Sequence, residues 1–306
     1  MIDCVYITAS AGDGRYTRTC VASVRYFYPD VPIRMLISGT LQRGVADQLL
    51  RYWNVGTAGL PSKGDYGWGF VKLEPLFGPP GERFLVLDSD TVLTGPILDV
   101  WNDSRASFLV DDEKQSESDT KRLYYNWDTV RTIDPCAQPP RFVFNSGQWF
   151  GTAGVLTRDD FAPWVEWTMP RRLRYPEHFM PGDQGILNYV LNQKAIDGLR
   201  VDRRQIMRWP GHSMHGLDAD AVSKRVAEPR VVHWAGMKRV RQRDMIGADL
   251  LAYFEKVYYQ RLPSGKVRRF FAGWRDALSQ SLLGARVRVK LASRKLAAVR
   301  CASAPR

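Results

Sequence analysis

Short apolar runs alternate with longer amphipathic stretches over residues 1–90. Val5–Thr8 predicts a strand, Tyr16–Tyr28 a helix closed by Pro29, Ile33–Ser38 a second strand and Gly44–Trp53 a second helix. Trp68–Phe77 reads as helical and stops at Gly78-Pro79-Pro80-Gly81. Phe84–Leu87 is then apolar at every position, the pattern of a strand buried on both faces. Repeated strand–helix units of this kind imply an α/β fold with a mostly parallel central sheet and helices on both faces. Such sheets bind ligands at the carboxyl ends of their strands.

The regularity falls after residue 100. Residues 112–141 are polar and rich in Asp, Lys, Arg and Pro, which predicts a long active-site loop or an insertion. Phe142–Phe150 returns to strand character. Asp159–Met169 and Asp183–Gln193 predict helices, Val231-Val232-His233 ends a further strand, and Leu250–Gln260 is the last helix of the body. No internal repeat or low-complexity tract is found.

Charge divides the chain in two. Of 306 residues with net charge +12, residues 261–306 hold 12 basic residues and one acidic, Asp276, which leaves residues 1–260 at +1. The expected division is therefore a body over 1–260 and a basic tail over 261–306. In the tail Phe270, Phe271, Trp274, Leu278 and Leu282 share one helical face, with Arg268, Arg269 and Arg275 outside it. A basic, aromatic amphipathic helix suits an anionic membrane surface; it equally suits a helix docked on the body with a solvated basic face. The near-neutral body argues against nucleic acid as a partner. Cys4, Cys20, Cys136 and Cys301 lack CxxC spacing, which argues against a zinc site and a disulfide framework. The first residues lead into a strand with no leader-like pattern, and no apolar run is long enough to span a bilayer. The expectation is a cytoplasmic protein, peripheral on the inner face of the membrane if the tail binds lipid.

Four short signals carry chemistry. Asp88-Ser89-Asp90 follows the apolar strand Phe84–Leu87, so two carboxylates stand where an α/β sheet places its ligand. Hard divalent cations take such oxygen ligands, usually shared with substrate phosphates; two solvated turn aspartates are the plainer reading. His233, which can complete a carboxylate-rich metal site, opens His233-Trp234-Ala235-Gly236-Met237-Lys238-Arg239. Gly236 permits close backbone approach, and Lys238 or Arg239 can neutralise a departing diphosphate. Phe144-Asn145-Ser146-Gly147 carries a glycine within an expected strand, which points to something approaching the backbone. Gly182-Asp183-Gln184 opens a helix, with Asp183 a candidate cap and Gln184 in the first turn.

Taken in order, D-x-D after a strand, F-N-S-G, D-Q-x-x-L-N and H-x-x-G before a basic residue resemble glycosyltransferase family 8. This retaining group includes the lipopolysaccharide galactosyltransferases and glycogenin. The resemblance covers roughly residues 1–240. It implies the GT-A fold, a Rossmann-like sheet, with a UDP-sugar donor and Mn²⁺ (or Mg²⁺). By residue, it makes Asp88, Asp90 and His233 the metal ligands and Asp183 a sugar-binding aspartate. Gln184 matches the glutamine near the reacting sugar face, and Asn145 lies in the loop near donor and acceptor. Lys72 stands where the family often has an arginine on the donor, and Thr8, Ala9, Ser10 and Tyr16 match the nucleoside-binding turn. Ser89, Gly236, Lys238 and Arg239 join the donor site. Departures are plain: Lys238 comes one residue early with no Pro-Trp following, the turn Ala11-Gly12-Asp13-Gly14-Arg15 is longer and richer in glycine, and Lys72 lacks the bidentate geometry of arginine.

The implied activity is transfer of a hexose from UDP to a hydroxyl of a glycan or glycolipid, with retention, in cell-surface glycan synthesis. Asp183 or Asp112 placed as a base on the opposite face would allow inversion instead. Two other classes stay open at this point. One is a nucleotide-sugar pyrophosphorylase, of whose glycine-rich loop Gly12-Asp13-Gly14-Arg15 is a faint echo. The other is a non-catalytic membrane- or nucleic-acid-binding protein using the tail.

Overall fold

The structure is a computed structural model that describes residues 1–10, 12–60, 66–211, 214–237 and 240–274. In chain order the elements are β1 (Cys4–Ala9), α1 (Gly14–Phe27), β2 (Ile33–Ile37), α2 (Arg43–Trp53), β3 (Val55–Thr57), β4 (Arg83–Asp88), β5 (Thr91–Leu93), β6 (Phe108–Asp111), α3 (Glu117–Leu123) and α4 (Trp127–Val130). They continue with β7 (Gln148–Thr152), α5 (Arg158–Phe161), β8 (Val165–Glu166), β9 (Arg172–Leu173), α6 (Asp183–Ile196), β10 (Val201–Arg204), β11 (Met207–Arg208), α7 (Ala219–Ser223), β12 (Val231–His233) and α8 (Ala248–Gln260). Seven strands form the central sheet in the order β10-β6-β7-β4-β1-β2-β3. Only β7 runs antiparallel to its neighbours, so the sheet is mostly parallel as expected.

Alternation along the central strands sends side chains to two cores. Val5, Ile7, Leu85 and Leu87 join Cys20, Val21 and Val24 of α1, Leu49 and Trp53 of α2, and Phe254 and Tyr258 of α8. Cys4, Tyr6, Phe84 and Val86 point the other way, onto Val71, Leu73 and Leu76 and onto Ile186, Leu187 and Val190 of α6. Both faces are thus covered by helices, which explains why the strands read as continuous apolar runs. The buried Cys4 thiol is pushed up to about 12, chiefly by burial.

Three expected elements differ. The helix expected over Trp68–Phe77 is a 3-10 helix over Phe70–Phe77, because Gly69 adopts φ 79° and Pro75 lies inside the segment. The helix expected over Asp159–Met169 lasts only through α5. Pro163 follows it, and the chain then turns into the β8–β9 pair, Val165 opposite Leu173. The strand expected over Phe142–Phe150 begins only at Gln148. Before it, Phe144 N–H donates to Asn188 Oδ1 and Phe144 C=O accepts from Asn188 Nδ2, both at 2.9 Å. Asn192 treats Phe142 the same way. Side-chain amides on α6 thus satisfy the backbones of Phe142 and Phe144, and Val143 between them makes an isolated antiparallel bridge to Glu113.

Residues 112–141, expected as a long active-site loop or an insertion, contain α3 and α4. Residues 265–274 are helical. Leu278, Leu282, Arg275 and Cys301 lie outside the described residues. No helix among the described residues is long and apolar enough to cross a membrane.

Candidate active site

The carboxyl end of β4 is Asp88, which pairs in register with Thr8 of β1. Thr8 Oγ1 donates to Asp88 Oδ1 at 2.9 Å, and Thr91 Oγ1 donates to the Asp88 carbonyl at 2.7 Å. Asp88 N–H donates to the Gly147 carbonyl at 2.7 Å, so the ends of β1, β4 and β7 converge on one aspartate. The chain then turns through Ser89, which is buried, and Asp90 into β5.

β12 runs antiparallel to β5 with His233 opposite Thr91, and Trp234 N–H donates to the Asp90 carbonyl at 2.9 Å. That register brings the imidazole to Asp90 across 143 residues of chain. His233 Nε2 stands 3.4 Å from Asp90 Oδ1 and 3.8 Å from Asp88 Oδ2. One ligand atom from each of Asp88, Asp90 and His233 falls within 4.8 Å of the others. Ligands on opposite sides of one Mg²⁺-sized ion lie about 4.2 Å apart, so a divalent cation needs only a small inward movement. Two carboxylate oxygens and an imidazole form a donor set that Mn²⁺ or Mg²⁺ fits. The ring is held from outside: Trp209 stacks on it with centroids 5.4 Å apart and planes at 17°. A Cβ on Gly147 would collide with it, so the glycine of F-N-S-G makes room for the imidazole.

Lys72 is buried beside the cluster. Its Nζ lies 3.2 Å from Asp88 Oδ1, 3.4 Å from Asp183 Oδ2 and 3.2 Å from Ser146 Oγ. Burial opposes its charge, but Asp183 and Asp88 more than offset this and hold its pKa above the ordinary lysine value. Burial pushes the Asp183 carboxyl upward against the pull of Lys72. Asp183 is the first residue of α6, not its cap; Gly182 holds the N-cap position with φ 88°.

A cleft of about 520 Å³ opens along this edge. Thr8, Ala9, Ser10, Lys72, Asp88, Asp90, His233 and Gly236 line it. Ser10 Oγ is engaged with Asp13 Oδ2 at 2.7 Å, and Gly236 has φ 74° with open space where a Cβ would stand. Tyr16 is buried, and its hydroxyl donates to the Met237 carbonyl at 3.3 Å, anchoring the turn after His233. Gln184 and Asn145, expected near the reacting sugar, do not line the cleft; Asn145 Nδ2 donates to Gln184 Oε1 at 3.1 Å, and Gln184 Nε2 donates to the Leu123 carbonyl at 2.9 Å. Lys238 and Arg239 lie outside the described residues.

The structure adds residues that the motifs did not mark. Asp13, Ser38, Trp68 and Gly69 line the cleft. Trp209 supports His233, and Ser146, inside the F-N-S-G motif but given no role there, meets Lys72. The paired glycines of Gly67-Trp68-Gly69 were the visible signal, since two glycines around an aromatic mark a constrained backbone. Trp209 also lines a second cleft of about 400 Å³ with Asp112, Glu113 and Arg208. Its indole N–H reaches Glu113 Oε1 at 3.3 Å. Asp112 belongs to that cleft, where Arg203 is 3.7 Å away.

No protein-family model matches the chain, and no curated protein matches it by sequence. Solved structures do match. The galactosyltransferase LgtC, determined in complex with donor and acceptor sugar analogues, aligns over 87% of this chain and 99% of its own, at 15% identity and a TM-score of 0.55. The fold is that of the GT-A glycosyltransferases. The glycosyltransferase GlyE of Streptococcus pneumoniae TIGR4 aligns over 89% of this chain with 14% identity and a TM-score of 0.51. The bifunctional glycosyltransferase WbbM aligns over 84% with 12% identity and a TM-score of 0.50. The GT-A chain here spans 63% of GlyE and 49% of WbbM. At these identities the likeness establishes a shared GT-A architecture; chemistry has to be argued from the side chains.

Proposed function

We propose that this chain is a family 8-like glycosyltransferase that moves a hexose from a UDP-sugar to an acceptor hydroxyl, with Mn²⁺ or Mg²⁺ and with retention. The observation that carries the reading is the meeting of Asp88, Asp90 and His233 at the carboxyl edge of the sheet, in a cleft that also holds Lys72. A cation held there would neutralise the diphosphate and assist its departure as a Lewis acid. Thr8, Ala9 and Ser10 surround the nucleoside and diphosphate, with Tyr16 shaping the turn they face; Ser89, expected in the donor site, is buried outside the cleft lining and holds the turn between Asp88 and Asp90. Gly236 lets the backbone approach, and Lys238 or Arg239 meets the diphosphate. Lys72 holds Asp88 and Asp183 in place, and Asp183 takes sugar hydroxyls.

The bond from the anomeric carbon to the UDP oxygen breaks, a bond to the acceptor oxygen forms, and the acceptor proton passes to the leaving phosphate. Positive charge develops at the anomeric carbon as this happens. Gln184 is neutral and hydrogen-bonded on both sides of its amide, to Asn145 and Leu123. It is therefore suited to stabilising that face weakly and unsuited to attacking it, which favours attack from the side of the leaving group. The cleft beyond Trp209 is the place assigned to the acceptor, because Trp209 stacks on His233 and lines that cleft as well.

Asp90→Ala should abolish metal-dependent release of UDP while leaving the circular dichroism spectrum intact. Full activity in that variant, or in excess chelator, removes the metal reading. Release of pyrophosphate instead of UDP would make the chain a nucleotidyltransferase.

The division into a catalytic body over 1–260 and a basic tail over 261–306 belongs to the same proposal, with the tail on an anionic membrane at the inner face of the cytoplasmic membrane. Its support is the stripe Val267, Phe270, Phe271 and Trp274, at i, i+3, i+4 and i+7 and 56–66% exposed. The helix touches the body through another face, with Arg269 Nε 3.4 Å from Glu255 Oε2 and Ala272 packed on the core, which leaves the aromatic stripe largely open to a surface. Sedimentation with phosphatidylserine vesicles should depend on salt and fall in Phe270→Glu/Phe271→Glu. Retention of that variant on vesicles, or equal binding to DNA, counts against it.

A further inference from the structure

Trp53, Trp101, Trp149 and Trp234 are fully buried, whereas Trp68 lines the cleft with 69% of its surface exposed. A large aromatic side chain gains free energy by leaving water, so something must hold Trp68 out. Three glycines in left-handed backbone do so: Gly67 at φ 75°, Gly69 at 79° and Gly182 at 88°. A Cβ on Gly67 would run into the Arg171 carbonyl, one on Gly69 into the Asp183 carboxylate, and one on Gly182 would stand 2.5 Å from the Trp68 carbonyl oxygen. The loop backbone is therefore pressed against the start of α6, and the same Gly182 position is 3.7 Å from Cδ2 of the indole. These contacts fix where the Trp68 backbone sits, and from there the ring lies exposed along the cleft.

Both glycines that flank this contact, Gly69 and Gly182, also flank Asp183. We propose that Trp68 is the platform on which the C–H face of the donor hexose rests, while Asp183 takes hydroxyls at its edge. The inference rests on the UDP-sugar reading above and names a residue that selects for the sugar part of the donor. A hexose ring presents hydroxyls around its rim and a patch of C–H groups on a face. Sites for such ligands pair an apolar wall with a few fixed polar groups. The aromatic wall here is Trp68; the fixed polar groups are Lys72, which lines the cleft, and Asp183, buried just behind it with Oδ2 3.4 Å from Lys72 Nζ. The nucleoside is assigned to Ser10 and Ser38, beyond the ends of β1 and β2, so base stacking does not explain a tryptophan beside Asp183.

The test is calorimetric titration of the Mn²⁺-loaded protein with UDP, UDP-glucose and UDP-galactose. Trp68→Ala should weaken binding of at least one UDP-hexose by about five- to tenfold, as loss of an aromatic contact would, and leave UDP within about twofold. Trp68→Phe should recover most of the loss. Thermal unfolding of Trp68→Ala at the wild-type temperature confirms that the fold is unchanged. Equal weakening of UDP and UDP-hexose would put the ring on the base or the loop and overturn the inference, as would no change in either. Wild-type protein that binds UDP-hexose leaves the donor reading standing in both of those cases. Wild-type protein that binds none of the three ligands overturns the donor reading and this inference with it.

Discussion

Gly147 is fitted to His233: a side chain on the glycine would stand 2.8 Å from Nδ1 of the imidazole and collide with Cε1. The glycine ends F-N-S-G, hydrogen-bonds Asp88 through its carbonyl and leaves the space that the histidine occupies. Gly147→Ala should therefore displace the ring. Affinity for Mn²⁺, followed by calorimetry, should fall by about 10–100-fold, the usual effect of disturbing the support of a ligand. Overpacking should also cost about 1–3 kcal/mol of stability. Unchanged Mn²⁺ affinity would mean that the imidazole is not a ligand.

Lys72 separates two carboxylates in a buried setting. Lys72→Met leaves Asp88 and Asp183 without their cation, and breaking a buried pair in this way costs about 3–5 kcal/mol. Urea denaturation should show that loss, and Lys72→Met/Asp183→Asn should recover part of it. If the double variant is as unstable as the sum of the single variants, the two residues are not coupled.

Asp111 ends β6, and its Oδ1 accepts from the N–H groups of Ile206 at 2.7 Å and Met207 at 2.8 Å. Burial, the main cause, pushes its pKa up to about 6 from 3.8. A raised acid binds its proton more tightly in the folded chain. Its contribution to stability is fully present below the unfolded pKa of 3.8 and is lost as pH rises through about 6. The shift corresponds to about 3 kcal/mol. Denaturation of wild type and Asp111→Asn at a series of pH values between about 4 and 7 should show a steeper downward slope in wild type than in the variant; parallel curves would refute the assignment.

Metal should stabilise the folded chain through the same three side chains. At a Mn²⁺ concentration of about 100 times Kd the gain is about 2.7 kcal/mol. Thermal unfolding should shift upward with Mn²⁺ in wild type and stay put in His233→Ala. An equal shift in both proteins would place the ion elsewhere.

Much of this was legible from local pattern. Phe84–Leu87 is apolar because both faces of β4 are covered, and Asp88-Ser89-Asp90 follows because the strand ends there. The helix over Asp183–Gln193 and the strand into His233 were legible for the same reason. Phe142–Gly147 differs from the expected strand because its apolar residues do belong to the core, yet the backbones of Phe142 and Phe144 are satisfied by Asn192 and Asn188, and Val143 makes only an isolated bridge to Glu113. Nothing in residues 142–147 themselves records a partner on α6. The helix expected over Asp159–Met169 neglected Pro163, a local signal that outweighs propensity.

By itself the sequence determined β1, α1, β2, α2, β4, α6, β12 and α8, because the side-chain period of each of these elements is set by its own backbone geometry. It also determined which polar residues stand at the ends of apolar strands. Only the tertiary structure decided that His233 lies opposite Thr91 and so beside Asp90, that Lys72 sits between Asp88 and Asp183, and that Trp68 is turned toward the cleft. Those relations depend on strand register and on glycines meeting distant backbone, which are properties of two segments at once.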